Sequence, residues 1–346
     1  MNSQRPTSSW LATAAALTLA LTVAACNGDS DPGDEGAATG PDGEPNPVTI
    51  RFTVFPGALA SMGVYIADAL GHFEEEGVEI EYVTVGTGSS AMAVLLAGET
   101  DFTISDITGV ATARQAGGEP VFVSAQYHGF GAAVACRPDV QFTTTAYPGS
   151  MRELEGKTIG ITAPGSATDT YLRYSMIAAG ADPGQAEIVP IGGVPQLLSA
   201  YTAGSVDCLV AYQPLQHLIE DYQSVVNWET GEGPAEFGDY VFNGIITTES
   251  YDSDHSEIVA RVQQAMQQTI EFARDPDNAE EIAAATLQFF EGLEEDVLAQ
   301  IMRDSAETFG YEFTEAHVGN AATVYQAITG NELGITYADL IAPSLR

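Results

Sequence analysis

The side chains able to catalyse reactions or hold metals are few in this sequence. There are three cysteines, a single lysine (Lys157) and five histidines, which are His72, His128, His217, His255 and His317. No two histidines have the spacing of a metal motif, and the chain lacks the GxSxG, HExxH and phosphate-loop patterns. The sequence therefore predicts a protein without a metal, a cofactor or a catalytic residue.

Two aspartates occur in the same short context, 106 residues apart. AGETDF spans residues 97–102 and AGSVDC spans 203–208. With the same offset, IRFTVF at 50–55 falls on GKTIGI at 156–161, and both segments resemble strands. A glycine can end a helix in the left-handed conformation at little energetic cost, and the aspartate then begins the next strand. We therefore predict a structural role for both aspartates, within two βαβαβ units that form parallel sheets.

The elements around these units predict an α/β protein with two lobes. Helices are expected over 60–76 and 167–179, because apolar residues recur at helical spacing and glycine follows each segment. PVFVSAQY (120–127) reads as a strand leaving the first lobe, AAVAC (132–136) as the crossover strand that enters the second, and YVFNGIITT (240–248) as the return strand. A long amphipathic helix should span 256–274. Lobe one is then 48–131 plus 240–346, and lobe two is 132–239.

The N-terminal region has the features of a targeting segment. Residues 11–25 form an uncharged apolar run, and Val23-Ala24-Ala25-Cys26 resembles the lipobox of bacterial lipoproteins. We predict a signal peptide at 1–25, lipidation of Cys26 and a disordered acidic linker at 26–47. These features place the protein on the extracytoplasmic face of the membrane through a lipid anchor. Ordinary signal cleavage without lipidation is the alternative.

The net charge excludes one class of partner. The chain has 48 acidic against 11 basic residues and a formal net charge of −37. Such a field repels phosphate, so we expect no nucleic-acid binding. The acid excess is interpreted as a strongly solvated surface, with an acidic binding tail as the alternative.

Six loops should surround a ligand, because open parallel sheets bind ligands at the carboxyl ends of their strands. These loops are rich in Gly, Ser and Thr, and each leads to a helix N-terminus, where backbone N–H groups face the ligand. The loops are 55–61, 86–90, 105–109, 163–168, 192–196 and 212–215.

The layout resembles the solute-binding proteins of ABC importers, in particular the nitrate/sulfonate/taurine-type group that includes binders of thiamine pyrimidine precursors. The segments that carry the resemblance are GHFEEEGVEIEYV, GTGSSAMAVLLAGETDFTISD, ELEGKTIGITAPGSATDTYLR and LLSAYTAGSVDCLVAYQP. It implies a two-lobe periplasmic-binding-protein-like fold (type II) that closes on a small solute. It further implies a monomer that delivers this solute to an ABC permease and its ATPase.

The resemblance also indicates which residues contact the solute. They are Ser61, Gly88, Ser89, Asp106, Gly165, Ser166, Thr168 and Tyr212. Tyr127 is predicted to contact the solute as well, because its aromatic ring could stack on it. Ser89, Thr168 and Asp106 could instead cap helices, and the two glycines could serve only the loop conformation. Tyr127, Phe130 and Tyr212 could stack on the solute or pack at the hinge.

The charge of the solute stays open at this stage. None of the six loops contains lysine or arginine, so a nitrate or sulfonate would rely on N–H groups and hydroxyls. Asp106 would suit an amine. A zwitterion such as taurine and a planar aminopyrimidine are about equally compatible with this set of loop residues.

The sequence leaves two alternative functions. A pyrimidine-precursor synthase of this fold would need a lysine to hold pyridoxal phosphate, but Lys157 lies at the start of a strand, far from the ligand loops. A ligand-sensing lipoprotein without transport is the second alternative.

Cys136 and Cys208 remain once Cys26 is lipidated. In this fold the strand that enters lobe two runs antiparallel beside its third strand. If Gly131 pairs with Gln213, the same register pairs the two cysteines, which predicts a disulfide in an oxidising compartment. Two buried free thiols are the alternative.

Overall fold

The computed structural model describes residues 47–129 and 131–346. The predicted signal peptide, the lipidated Cys26, nearly all of the acidic linker and Phe130 lie outside the described residues. The described part belongs to one compact unit. None of its helices is long and apolar enough to cross a membrane.

Ten strands occur in the described residues. They are β1 Val48–Val54, β2 Val78–Thr84, β3 Thr103–Ser105, β4 Pro120–His128, β5 Ala132–Cys136, β6 Thr158–Ile161, β7 Glu187–Pro190, β8 Cys208–Tyr212, β9 Gln223–Asn227 and β10 Val241–Thr248.

Fourteen α-helices occur in the same residues. They are α1 Met62–Ala69, α2 His72–Glu75, α3 Gly88–Leu96, α4 Ile107–Gln115, α5 Gly149–Arg152, α6 Ala167–Ala178, α7 Val194–Thr202, α8 Leu215–Leu218, α9 Glu249–Asp254, α10 Ser256–Ala273, α11 Ala279–Thr286, α12 Glu295–Ser305, α13 Glu315–Thr329 and α14 Tyr337–Leu340.

The strands form two arrays with the same order. The second array is one five-stranded sheet, β7-β6-β8-β5-β9. The first consists of the pair β1-β2 and the sheet β3-β10-β4, and a parallel bridge between Phe52 and Phe102 joins β1 to the start of β3. Its order is therefore β2-β1-β3-β10-β4. In each array the strand arriving from the other half of the chain, β10 or β5, lies antiparallel beside the third strand.

The two aspartates of the repeated motif have the same structural role. The backbone N–H of Arg51 donates to Asp101 Oδ2 at 2.8 Å, and that of Thr158 donates to Asp207 Oδ2 at 2.9 Å. Each carboxylate thus satisfies a backbone donor on the first strand of its array, next to the third strand. The glycines of the motif, Gly98 and Gly204, have φ of 71° and 67°, which only glycine adopts without strain.

One predicted helix is broken in the structure. The sequence predicted a single helix over 60–76, but α1 ends at Ala69 and α2 begins at His72. Gly71 has φ of 83°, and a residue in the left-handed region cannot continue a right-handed helix. The third strand of the first array begins at Thr103 and not at Asp101, whose carboxylate accepts the Arg51 N–H.

Helices cover the arrays with apolar faces. Helix α10 buries Val259, Val262, Met266 and Ile270, which lie three or four residues apart and so share one face. This face packs against a core with β1, β4 and helices α1, α11 and α12. Helices α4, α6 and α13 contribute to a second core beside it.

The central strand of the sheet β3-β10-β4 requires a glycine. Strand β10 pairs with β3 on one side and β4 on the other. A Cβ added to Gly244 would lie 2.5 Å from the Phe122 ring and 2.7 Å from the Ser124 carbonyl oxygen. The ring of Phe122 is therefore able to pack over the backbone of β10 only because residue 244 has no side chain.

The register of β5 and β8 is the predicted one. Gln213 donates its backbone N–H to the Gly131 carbonyl at 2.9 Å, and Cys136 lies opposite Cys208. The structure joins the two cysteines by a disulfide, and both are buried. Strand β9, which the sequence did not predict, pairs with the other edge of β5.

Candidate functional site

A cavity of about 330 Å³ lies where the strands of both arrays end. Loops after β1, β2 and β3 line one side of it, and residues after β6 and at the end of β8 line the other. Seven of the residues predicted to contact a solute line this cavity, and they are Gly88, Ser89, Asp106, Gly165, Ser166, Thr168 and Tyr212.

Three helices begin at the cavity wall, and they differ in how their first turns are capped. Thr87 caps α3 through a reciprocal pair of hydrogen bonds with Ser90, and Asp106 caps α4 by accepting from the Thr108 N–H. Ser166 precedes α6 but makes no side-chain cap. The first N–H groups of α6 are therefore the ones best placed to bind an acceptor atom of a ligand.

The hydroxyls beside α6 bind one another. Thr162 Oγ1 lies 2.6 Å from Ser166 Oγ and 2.8 Å from Thr168 Oγ1, and Ser166 Oγ donates to the Ala163 carbonyl at 2.7 Å. The Thr162 backbone N–H also donates to Thr168 Oγ1. This network fixes the loop after β6, so Ser166 and Thr168 hold the shape of the cavity wall.

Asp106 is the one carboxylate among the described residues that line the cavity. Its side chain is 6% exposed, and burial raises its pKa to about 6. The N–H of Thr108 at 3.2 Å and the Tyr240 hydroxyl at 3.5 Å both donate to Oδ2. A Cβ at position 109 would lie 2.8 Å from Oδ1, so Gly109 leaves room for the carboxylate.

Asn243 supplies a second buried acceptor to the cavity lining. Its Nδ2 donates to the Ala60 carbonyl at 3.0 Å, which orients the amide, and its Oδ1 has no hydrogen-bond partner. An unpaired buried acceptor is costly, and an N–H or O–H donor of a bound molecule would satisfy it. Asn243 was not among the predicted site residues, although a polar residue inside the apolar strand YVFNGIITT could have indicated it.

Two predicted residues lie elsewhere. Ser61 is fully buried, and its Oγ accepts the Phe55 N–H at 2.8 Å, so it shapes the loop after β1 without lining the cavity. Tyr127 lines a separate cavity. The predicted loop 192–196 is also absent from the described lining of the main cavity.

Contacts between loops of the two arrays close the cavity on one side. Ser89 Oγ, at the start of α3, donates to the Pro164 carbonyl after β6 at 2.9 Å. Gly193 approaches the loop after β2 so closely that a Cβ there would lie 3.2 Å from the Gly86 carbonyl oxygen. Gly193 therefore allows the loops to meet.

The described lining contains no lysine or arginine. Lys157 directly precedes β6, at the end of the strand opposite to the cavity, and its Nζ lies 5.9 Å from the centroid of the Phe142 ring. Among residues 47–129 and 131–346, no three His, Cys, Asp or Glu side chains are grouped so that they could hold a metal.

Known structures share this architecture at low sequence identity. A protein of Bordetella bronchiseptica superposes with a TM-score of 0.74 at 17% identity, covering 86% of this chain and 95% of its own. The alkanesulfonate-binding protein of Xanthomonas axonopodis, solved with bound MOPS, gives 0.68 at 15% identity, covering 86% and 99%. The zinc-bound ligand-binding component of an ABC-type import system from Staphylococcus aureus gives 0.67 at 14% identity, covering 86% and 97%.

The family comparison covers most of the two arrays. No curated protein matches the sequence. The family model described as NMT1/THI5 like matches residues 59–279, which is more than half of the chain. This range includes every loop around the cavity except residues 55–58, at the start of the loop after β1. The chain thus belongs to the NMT1/THI5-like family and has the periplasmic-binding-protein fold.

Proposed function

We propose that this protein captures a small solute between two lobes and delivers it to an ABC import permease. The observation that carries the proposal is the cavity enclosed by loops from both strand arrays, with Asp106 and Asn243 as buried acceptors. The lobes are residues 48–131 plus 240–346 and residues 132–239. The similarity to the ligand-binding component of an import system supports the same function.

The solute we propose carries N–H donors at one end and an acceptor group at the other. Asp106 and the unpaired Asn243 Oδ1 both need donors. The uncapped first turn of α6 offers donors to an acceptor atom. A bare anion would meet no cationic side chain in the described lining, whereas an aminopyrimidine or a zwitterion such as taurine satisfies both ends.

A thermal-shift panel on the purified mature protein tests this ligand class. The panel contains taurine, alkanesulfonates, nitrate, aminopyrimidines and pyridoxal phosphate. A ligand at about one hundred times its Kd adds about 2.7 kcal/mol to the free energy of unfolding, which raises Tm by a few degrees. Stabilisation by nitrate alone would contradict the proposed donor-bearing solute.

The variant Asp106→Asn tests whether the charge of this carboxylate contributes to ligand binding. Asparagine is also a good N-cap, so α4 should keep its first turn while the carboxylate charge is lost. We expect amine-bearing ligands to bind about 10- to 100-fold more weakly, because a hydrogen bond to a charged group contributes about 1.5–3 kcal/mol. Asp275→Asn, which also changes a capping aspartate but lies outside the cavity lining, is the matched control.

Anchoring and transport belong to the same proposal. Lipidation of Cys26 would hold the protein at the extracytoplasmic face of the membrane, near its permease and ATPase. Membrane fractionation of Cys26→Ser cells tests the anchor, and the variant should appear in the soluble fraction. Uptake of the stabilising solute in cells lacking this protein separates transport from sensing, because a sensor that does not transport would leave uptake unchanged.

The proposed function includes no catalysis. Lys157 lies at the end of β6 remote from the cavity, where it cannot reach a solute held by Asp106. Pyridoxal phosphate should therefore produce neither a thermal shift nor an absorbance band typical of a Schiff base. A band that disappears in Lys157→Arg would contradict this part of the proposal.

A further inference from the structure

A second cavity lies behind one wall of the first. Its volume is about 220 Å³, and three residues, Ala60, Tyr212 and Phe242, line both cavities. Tyr212 and Phe242 line both cavities, so these two residues separate the two chambers. A small movement of these two rings would join the chambers into one longer site.

The second cavity has buried polar groups without partners. The Tyr127 hydroxyl and the Gln213 Oε1 atom are both buried and unpaired, and each residue is 4% exposed. The Gln213 amide is oriented by Glu229, which accepts from its Nε2 at 3.0 and 3.1 Å. A carboxylate can only accept here, so Oε1 must be the atom left unpaired.

The charges at the second cavity are negative. Glu229 and Asp304 contribute carboxylates, and no lysine or arginine occurs in the described lining. His128 also lines the cavity, but its Nε2 is engaged with the Glu312 carbonyl at 2.9 Å and burial lowers its pKa, so it adds no positive charge at neutral pH. The chamber therefore favours a group that is cationic or rich in N–H donors.

We propose that the solute site continues past Tyr212 and Phe242, and that the second cavity receives an amine at the far end of an elongated solute. The inference rests on the proposed solute-binding function and extends it. One amine would lie at Asp106, an apolar chain would pass between the two rings, and the second amine would lie near Asp304, Glu229 and Gln213.

Paired titrations of the mature protein test the proposal. Calorimetry would compare diaminooctane with octylamine, and diaminobutane with butylamine, in the same buffer. The overall negative charge attracts every dication to some extent, so the informative quantity is the difference between the two pairs. The diamine advantage is the affinity of a diamine divided by that of the monoamine of the same chain length. We expect this ratio to be about tenfold larger for the octane pair than for the butane pair. Equal advantages, or no binding by any of the four, would overturn the proposal.

Two variants locate the far amine. Asp304→Asn removes an exposed charge that lines the cavity, and Asp296→Asn on the same helix is the matched control. Tyr127→Phe removes only the unpaired hydroxyl, and unchanged or higher thermal stability would show that it folds. Loss of the octane advantage in either variant, with Asp296→Asn unchanged, supports the proposal, and its retention in both overturns it.

The same data separate this inference from the function on which it rests. If a short amine or an aminopyrimidine binds and Asp106→Asn abolishes that binding, the first cavity is a solute site whatever the diamines do. If these short ligands bind and the octane pair shows no added advantage, only the second chamber is rejected.

Discussion

At the scale of single residues, Asp106 links solute binding to pH. It is buried with few donors, and its pKa of about 6 lies above the ordinary value of 3.8. The carboxylate is mostly charged at neutral pH and becomes neutral in mildly acidic solution. A charged group buried at some cost in the ligand-free protein is well suited to a site that is completed by a cationic partner.

We predict that affinity for an amine ligand falls as the pH drops below about 6, because protonated Asp106 loses its charge. Calorimetry between about pH 7.5 and pH 5 would measure this change in affinity. The control is Asp106→Asn, whose affinity for the amine should be low and independent of pH. Undiminished amine affinity at about pH 5 would show that Asp106 does not bind the amine.

The stability of the ligand-free protein should depend on Asp106 in the opposite direction. Since its folded pKa is raised, its contribution to stability is fully present below the unfolded pKa near 3.8 and is lost as pH rises through about 6. Asp106→Asn should therefore raise the free energy of unfolding at pH 7 by about 1–3 kcal/mol. Urea unfolding measures this, and a clear loss of stability would mean that the carboxylate is needed for the cap.

The cysteine pair provides a second prediction at this scale. Cys136 and Cys208 face each other across β5 and β8. We expect the cysteines of the oxidised protein to resist alkylation until the protein is unfolded and reduced, and the mass to rise by that of two hydrogen atoms on reduction. Reduction should cost about 2–4 kcal/mol of stability. Two alkylatable thiols in the unreduced, unfolded protein would contradict the disulfide.

At the scale of elements, Gly244 determines whether β10 can lie between its neighbours. Gly244→Ala should destabilise the protein by about 1–3 kcal/mol, because its Cβ would overlap the Phe122 ring. Gly319→Ala is the matched control, since this residue is exposed in helix α13 and has open space around it. The control should stabilise by about 0.5–1 kcal/mol. Denaturant midpoints that move equally in both variants would refute the packing argument.

The elements also show which features of the fold could be predicted from sequence patterns and which could not. The 106-residue repeat correctly indicated that Asp101 and Asp207 are structural, because each caps a first strand in its own array. The break between α1 and α2 was missed, since apolar residues keep helical spacing across Gly71 and only its backbone conformation shows the interruption. Strand β9 was missed because QSVVN is short and pairs only with the distant β5.

At the scale of the whole molecule, self-repulsion should limit stability. With a net charge of −37, raising sodium chloride from about 0.05 to about 1 M shortens the screening length from more than 10 Å to about 3 Å. We expect Tm to rise by several degrees. The double variant Glu220→Gln/Glu291→Gln, at two exposed sites, should melt above the wild type at low salt and match it at high salt. A Tm independent of salt would contradict this prediction.

The fold class, the repeated units and most of the loops around the cavity could be predicted from the sequence, and so, with the strand order that the family resemblance implies, could the antiparallel register of the cysteines. These features depend on local conformational preferences and on strand order, which follow from residue type and spacing. The three-dimensional contacts were needed to show that Ser61 shapes a loop, that Asn243 has an unpaired acceptor, and that Tyr127 lines a second chamber. Those roles depend on which side chains from distant segments come together, and no local pattern encodes such contacts.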